Sequence, residues 1–145
     1  MISVKNLHIL FADDEKFFMR GTIEVLMAQA FKVTVVTNGF QVLQYLRENK
    51  SNLPDLIILD IMMPEGSPEI QTNDNGRSTG VVVYHKIREE LGLNIPILIS
   101  TVIDDPNIQN GFNGDRRVEK INKPYICNEL IDKIIKLFEE IEKNG

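Results

Sequence analysis

Residues 55–64 read D-L-I-I-L-D-I-M-M-P. Three consecutive aliphatic residues, Ile57, Ile58 and Leu59, follow Leu56. Such a run is long enough for a strand covered on both faces and too short for a helix. It stops on a carboxylate, Asp60. Pro64 cannot continue a ladder, so the strand ends at or just after Asp60 and leaves that side chain at its carboxyl end. In an open parallel sheet that end is where ligands and chemistry sit.

Upstream, Leu7 to Ala12 is a second short apolar run, and it ends on Asp13 and Asp14. From Glu15 to Ala30 the residues Phe18, Ile23, Leu26, Met27 and Ala30 recur at three- and four-residue spacings, the mark of an amphipathic helix. Val33 to Val36 is β-branched and closes on the turn-forming Asn38-Gly39; Phe40, Leu43 and Leu46 then mark a second helix. Downstream of Pro64, residues 65–79 are polar, carry two glycines before Thr79 and its neighbour Gly80, and show no periodicity, so they read as a long loop. A helix is expected from about Thr79 to Leu91, a strand from Ile95 to Thr101, a short helix over Asp104 to Phe112, a strand from Arg117 to Asn122 and a final helix from Ile126 to Glu142. Strands alternating with helices at this spacing imply parallel pairing with right-handed crossovers: an α/β fold with a five-stranded sheet and helices on both faces.

The 145 residues, 43% hydrophobic, suit one compact domain with a sizeable core. A net charge of -5 without a dense Lys/Arg block argues against nucleic-acid and membrane surfaces and leaves proteins or small ions as partners. The single cysteine, Cys127, excludes an internal disulfide, and the absence of an apolar signal segment gives a cytoplasmic expectation. No apolar run approaches the roughly 20 residues that span a bilayer.

If the first and third strands both run parallel near the middle of the sheet, Asp13, Asp14 and Asp60 end on the same edge and converge. Carboxylates so close raise one another's pKa unless a cation neutralises them, and oxygen ligands suit a hard divalent ion, with Mg²⁺ the expected one. A carboxylate beside Mg²⁺ can act as a nucleophile toward phosphorus. The fourth strand ends in the hydroxyl of Thr101 and the fifth in the ammonium of Lys123, held by Pro124; both can donate to phosphoryl oxygens.

Taken together, Asp13-Asp14, the D-I-M-M-P loop with Asp60, Thr101 five residues after Pro96, and Lys123-Pro124 resemble a response-regulator receiver domain, in that family's order and over nearly the whole chain. The resemblance implies a flavodoxin-like, doubly wound sheet of order 2-1-3-4-5 and a single receiver domain over residues 1–145. It implies Asp60 as phosphoacceptor, Asp14 and Asp60 as direct Mg²⁺ ligands, Asp13 as a ligand through water, and the backbone carbonyl of Met62 as a further ligand. Thr101 and Lys123 would bind the phosphoryl group. A histidine kinase or phosphotransfer protein would be the donor and a downstream protein the partner, with no enzymatic turnover of an external substrate. The alternative is a phosphorylation-independent pseudo-receiver that serves as an interaction module. A phosphatase using an aspartyl-phosphate intermediate would be expected to carry a D-x-D pair after its first strand, whereas Asp13-Asp14 are adjacent.

Three positions depart from the family pattern. An insertion over about 65–79 precedes Thr79-Gly80; it would shield the acyl phosphate, recognise a partner, or be a solvated surface loop. Val102 stands where a small residue follows the hydroxyl, and Lys120 where the family's aromatic switch residue stands, three positions before Lys123. A lysine head is hard to bury, so signalling is expected to rely more on Thr101 and the following loop. His8 and His85 have no ligand spacing and read as structural. In the last helix, Ile126, Leu130, Ile134, Leu137 and Ile141 form one stripe, with Ile131, Ile135 and Phe138 beside it. A broad core-facing stripe accounts for this, and the sharper reading is a homodimer or partner surface on the second row.

Overall fold

The computed structural model describes residues 6–102, 111–112 and 114–144. Strands β1 (His8–Ala12), β2 (Lys32–Val36), β3 (Leu56–Asp60), β4 (Ile97–Thr101) and β5 (Val118–Asn122) form one sheet in the order β2-β1-β3-β4-β5, every pairing parallel. Helices α1 (Lys16–Ala28), α2 (Gly39–Glu48), α3 (Thr79–His85) and α4 (Cys127–Asn144) cover it. This is the doubly wound, flavodoxin-like arrangement of order 2-1-3-4-5. The short helix expected over Asp104 to Phe112 lies, except for its last two residues, outside the described residues.

The strands alternate side chains between two apolar layers, as a period of two requires. Leu10, Ala12, Ile57, Leu59, Ile97 and Ile99 face one layer with Val42, Leu43 and Leu46 of α2 and Val83 and Tyr84 of α3. Ile9, Phe11, Leu56, Ile58 and Leu98 face the other, with Met19 and Leu26 of α1 and Leu130, Ile134 and Leu137 of α4. Burial on both faces explains why β3 and β4 read as unbroken aliphatic runs: all five residues of each are buried. Edge strand β2 keeps only Val36 buried.

Local chemistry fixes the element ends. Asn38 is the N-cap of α2, its side-chain oxygen accepting the Gln41 N–H at 2.8 Å, so the Asn38-Gly39 pair starts a helix as well as ending a strand. Helix α1 stops at Ala28 rather than Ala30, which has φ 70° and turns the chain toward β2. Helix α3 continues not as an α-helix to Leu91 but as a wider π turn over Lys86–Glu90, with the Leu91 N–H on the Lys86 carbonyl at 2.9 Å. Within that turn Ile87 is fully buried, while Arg88 reaches Asp115 (Nε to Oδ2, 2.8 Å) and the Leu93 carbonyl (2.9 Å).

Residues 61–78 contain no helix or strand, in line with the expected loop; most of them are exposed, but the segment is anchored at a few buried positions. Ile70 is fully buried in the layer under α2 and α3. Ile126 departs from the expected core stripe: it precedes α4 and is 69% exposed. The second row of α4 is half-buried, with Phe138 packed on the α1/α4 layer. No helix among the described residues is long and apolar enough to cross a membrane.

Candidate functional site

Strand register builds the site. β1 pairs with β3 so that Ala12 lies opposite Leu59, and one step further Asp13 lies beside Asp60. β3 pairs with β4 so that Asp60 lies opposite Ser100, with Thr101 the next residue along. The ladder between β4 and β5 ends with Thr101 opposite Asn122, and the Lys123 N–H donates to the Thr101 carbonyl at 2.9 Å. Four consecutive strand ends thus deliver two acids, a hydroxyl and an ammonium to one edge. Asp13 and Thr101 are 0% and 1% exposed and Asp60 4%, whereas Asp14 is exposed.

The Lys123 ammonium donates to Asp13 Oδ2 at 2.6 Å and to Asp60 Oδ2 at 3.2 Å. Asp13 Oδ1 accepts the Glu15 N–H at 2.9 Å, and Asp60 Oδ1 the Met62 N–H at 3.3 Å. Burial pushes the Asp60 carboxyl up from its ordinary 3.8 to about 7; the Lys123 ammonium pulls it down, and the Asp13 carboxylate adds to the rise. Burial also works against the charge on Lys123. The hydrogen bond to Asp13 and the charges of Asp60 and Asp13 outweigh it, and the ammonium ends above its ordinary value.

Carboxylate oxygens of Asp13, Asp14 and Asp60 all come within 4.8 Å of one another. Hard anionic oxygens at that spacing, one of them on an exposed residue that leaves room for water, fit a hard divalent ion. Asp13, Asp14 and Asp60 are the side chains that would hold it, with the Met62 backbone next to them. Beside them a cleft of about 400 Å³ is lined by Asp14, Glu15, Met62, Met63, Pro64, Asn75 and Gly76. The inserted segment, through Asn75 and Gly76, therefore forms one wall of a cleft that Asp14 also lines.

Other placements bear on the remaining residues singled out in the sequence. Val102 is 62% exposed, so its side chain does not fill the site. Lys120 is half-buried on β5. His8 is a structural residue at the opposite end of β1, its Nε2 2.8 Å from Thr34 Oγ1. Phe18 was legible only as a helix-stripe residue, yet its ring lies 4.7 Å from the Lys123 ammonium and packs edge-on against Tyr125 at 5.2 Å. An aromatic residue one turn into the helix that follows the acidic pair is the signal that could have flagged it.

The family model described as the response regulator receiver domain matches residues 9–135. Among curated proteins the chain is 28% identical over 93% of its length to hybrid signal transduction histidine kinase D of Dictyostelium discoideum, of which it covers 8%. It is 25% identical over 88% of its length to response regulator RR06 of Streptococcus pneumoniae, of which it covers 51%. The chain thus spans about half or less of the length of these relatives. Among solved structures, a CheY-like receiver domain protein from Methanospirillum hungatei JF-1 superposes with a TM-score of 0.73 at 22% identity, covering 97% of this chain and all of that one. That likeness bears on the fold alone; the family match extends from the first strand into the last helix, and on it the chain belongs to the response regulator receiver domain family, a signalling domain of two-component systems.

Proposed function

We propose that Asp60 accepts a phosphoryl group from a phosphohistidine on a histidine kinase or phosphotransfer protein, and that the modified edge alters affinity for a downstream protein. The observation that carries this reading is the Asp13–Lys123–Asp60 constellation: a buried carboxylate at a strand end, held by an ammonium 3.2 Å away. In the transfer, an Asp60 oxygen forms the new P–O bond while the donor's P–N bond breaks and its electron pair returns to the imidazole. Only the ionised carboxylate attacks. Burial opposes ionisation and Lys123 supports it, so the lysine readies the nucleophile before transfer and then donates to the phosphoryl oxygens. Thr101 offers a second donor from the neighbouring strand. Bound at Asp13, Asp14 and Asp60, Mg²⁺ supplies neutralisation of the charge on the phosphoryl oxygens.

A protein donor and partner suit the rim. Phe17, Met62, Val102 and Ile126, four of the large apolar side chains left exposed, all follow the carboxyl ends of strands around Asp60. The pseudo-receiver reading draws on Lys120, which replaces the aromatic switch residue. Intact-mass measurement after incubation with a small-molecule acyl phosphate, with and without Mg²⁺, separates the two. A Mg²⁺-dependent phosphoryl adduct, absent in Asp60→Asn, is expected; a folded chain that takes no adduct while a control receiver does would leave the interaction-module reading in its place.

A further inference from the structure

The inserted segment is knotted rather than loose. Glu65 Oε2 accepts the Thr72 N–H at 2.7 Å and also the Thr72 hydroxyl. The same Thr72 oxygen accepts the Gly76 N–H at 2.8 Å. Around it, Asp74 Oδ1 accepts the Ser78 N–H at 3.2 Å, and Glu69 forms a two-pronged ion pair with Arg47 of α2. Ile70 anchors the whole from below.

The knot is pressed against the site. The Gly76 carbonyl accepts the Met63 N–H at 3.3 Å and the Thr79 N–H at 3.3 Å. Gly76 has φ +87°, a conformation costly for any residue with a Cβ, and a Cβ there would lie 2.9 Å from the Met63 carbonyl oxygen. Its neighbour Asn75, at φ 57°, lines the cleft with Asp14 and Met62. A continuous path therefore runs from Glu65 through the Thr72 hydroxyl to Gly76 and Met63, one residue from Met62, whose N–H holds Asp60.

We infer that Thr72 is a positioning residue for the acidic site: its hydroxyl holds the Asn75–Gly76 turn against Met63, and through it sets the Met62 backbone and the cleft wall that complete a divalent-ion site. This rests on the phosphoacceptor reading for the identity of the site. Thr72 hydrogen-bonds Glu65 and Gly76, none of the three acids, and acts only through the turn. Groups hydrogen-bonded directly to a metal ligand change affinity by about 10- to 100-fold when removed, and the lower end of that range is the upper bound for a residue one link further out.

The test is a Mg²⁺ titration of the 145-residue chain, followed by backbone amide shifts of Asp60 and Met62 and repeated for Thr72→Val, Thr72→Ser and Gly76→Ala, with thermal unfolding recorded in Mg²⁺-free buffer. Thr72→Val removes the hydroxyl at nearly constant shape and is expected to weaken Mg²⁺ binding by up to about ten-fold. Thr72→Ser restores the hydroxyl and is expected to restore affinity, which a role in packing the methyl group alone would not do. Gly76→Ala pushes the turn off Met63 by a separate route, and decides the matter if Thr72→Val does not fold. Normal Mg²⁺ affinity in whichever of these two variants folds would overturn the inference and leave the phosphoacceptor reading standing. Absence of any Mg²⁺ response in the unaltered chain would overturn both.

Discussion

At the sheet's carboxyl edge, backbone register does the placing: Asp13 stands beside Asp60 because Ala12 pairs with Leu59, and Lys123 reaches both because β5 pairs with β4 beside them. Between β3 and α3 there is no ladder, and single side chains do the placing: Glu65 on Thr72, Thr72 on Gly76, Ile70 in the core. The first region is stiff but electrostatically costly, since two buried acids share one cation. The second carries little charge into the interior, and its order depends on a few replaceable contacts. Order in a receiver site thus comes from two sources that fail in different ways.

Removing the cation is the severest way to break the first region. Lys123→Met leaves Asp13 and Asp60 buried without a counter-charge, and is expected to cost about 3–5 kcal/mol at neutral pH. Urea unfolding with and without the substitution checks it. The loss should shrink toward acid, where the Asp60 carboxyl takes a proton; a loss independent of pH would mean the lysine acts by packing.

The second region is tested by its anchor. Ile70→Ala is expected to cost about 2–5 kcal/mol, the range for a fully buried aliphatic side chain. A loss of about 0.5 kcal/mol or less, as surface changes give, would make the insertion an ornament after all.

A smaller effect has the opposite sign. Because the Asp60 carboxyl is raised in the folded chain to about 7, the native state binds more protons than the unfolded state between 3.8 and about 7. Its contribution to stability therefore falls as pH rises through that window and is level above it. Asp60→Asn is expected to stabilise the chain by roughly 1–3 kcal/mol above that window, with the gain vanishing near pH 4. Urea titrations at the two ends of the window measure it; an equal gain at both would assign the effect to something other than ionisation.

What could be read in advance follows the same division. The central strands announce themselves because burial on both faces leaves an uninterrupted aliphatic run, and the chain must stop such a run on the residue that meets the edge. Asp60, Asp13 and Thr101 were legible for that reason; Lys123 follows the edge strand V-E-K-I-N, which has no such run, and was legible through the Pro124 that comes after it. Phe18 was not, because its approach to Lys123 depends on a ring orientation and on two segments remote in sequence. The order of the insertion was hidden too, since single hydrogen bonds have no period; Ile70, the lone aliphatic residue among residues 65–79, was its only trace. The π turn after His85 escaped because widening a helix by one residue leaves the charge and apolar pattern of Lys86–Glu90 compatible with a plain helix.

The sheet divides the apolar interior into two layers, and the strand ends are where both press on the same few atoms. From one side Phe18 lies over the Lys123 ammonium; from the other, Gly80 comes so near the Asp60 carbonyl that an added Cβ would sit 2.4 Å from its oxygen. The plate is thus gripped at its rim from above and below. By the reciprocity of linked equilibria, a protein that clasped either helical face more tightly in one state of the rim would shift the rim by the same free energy.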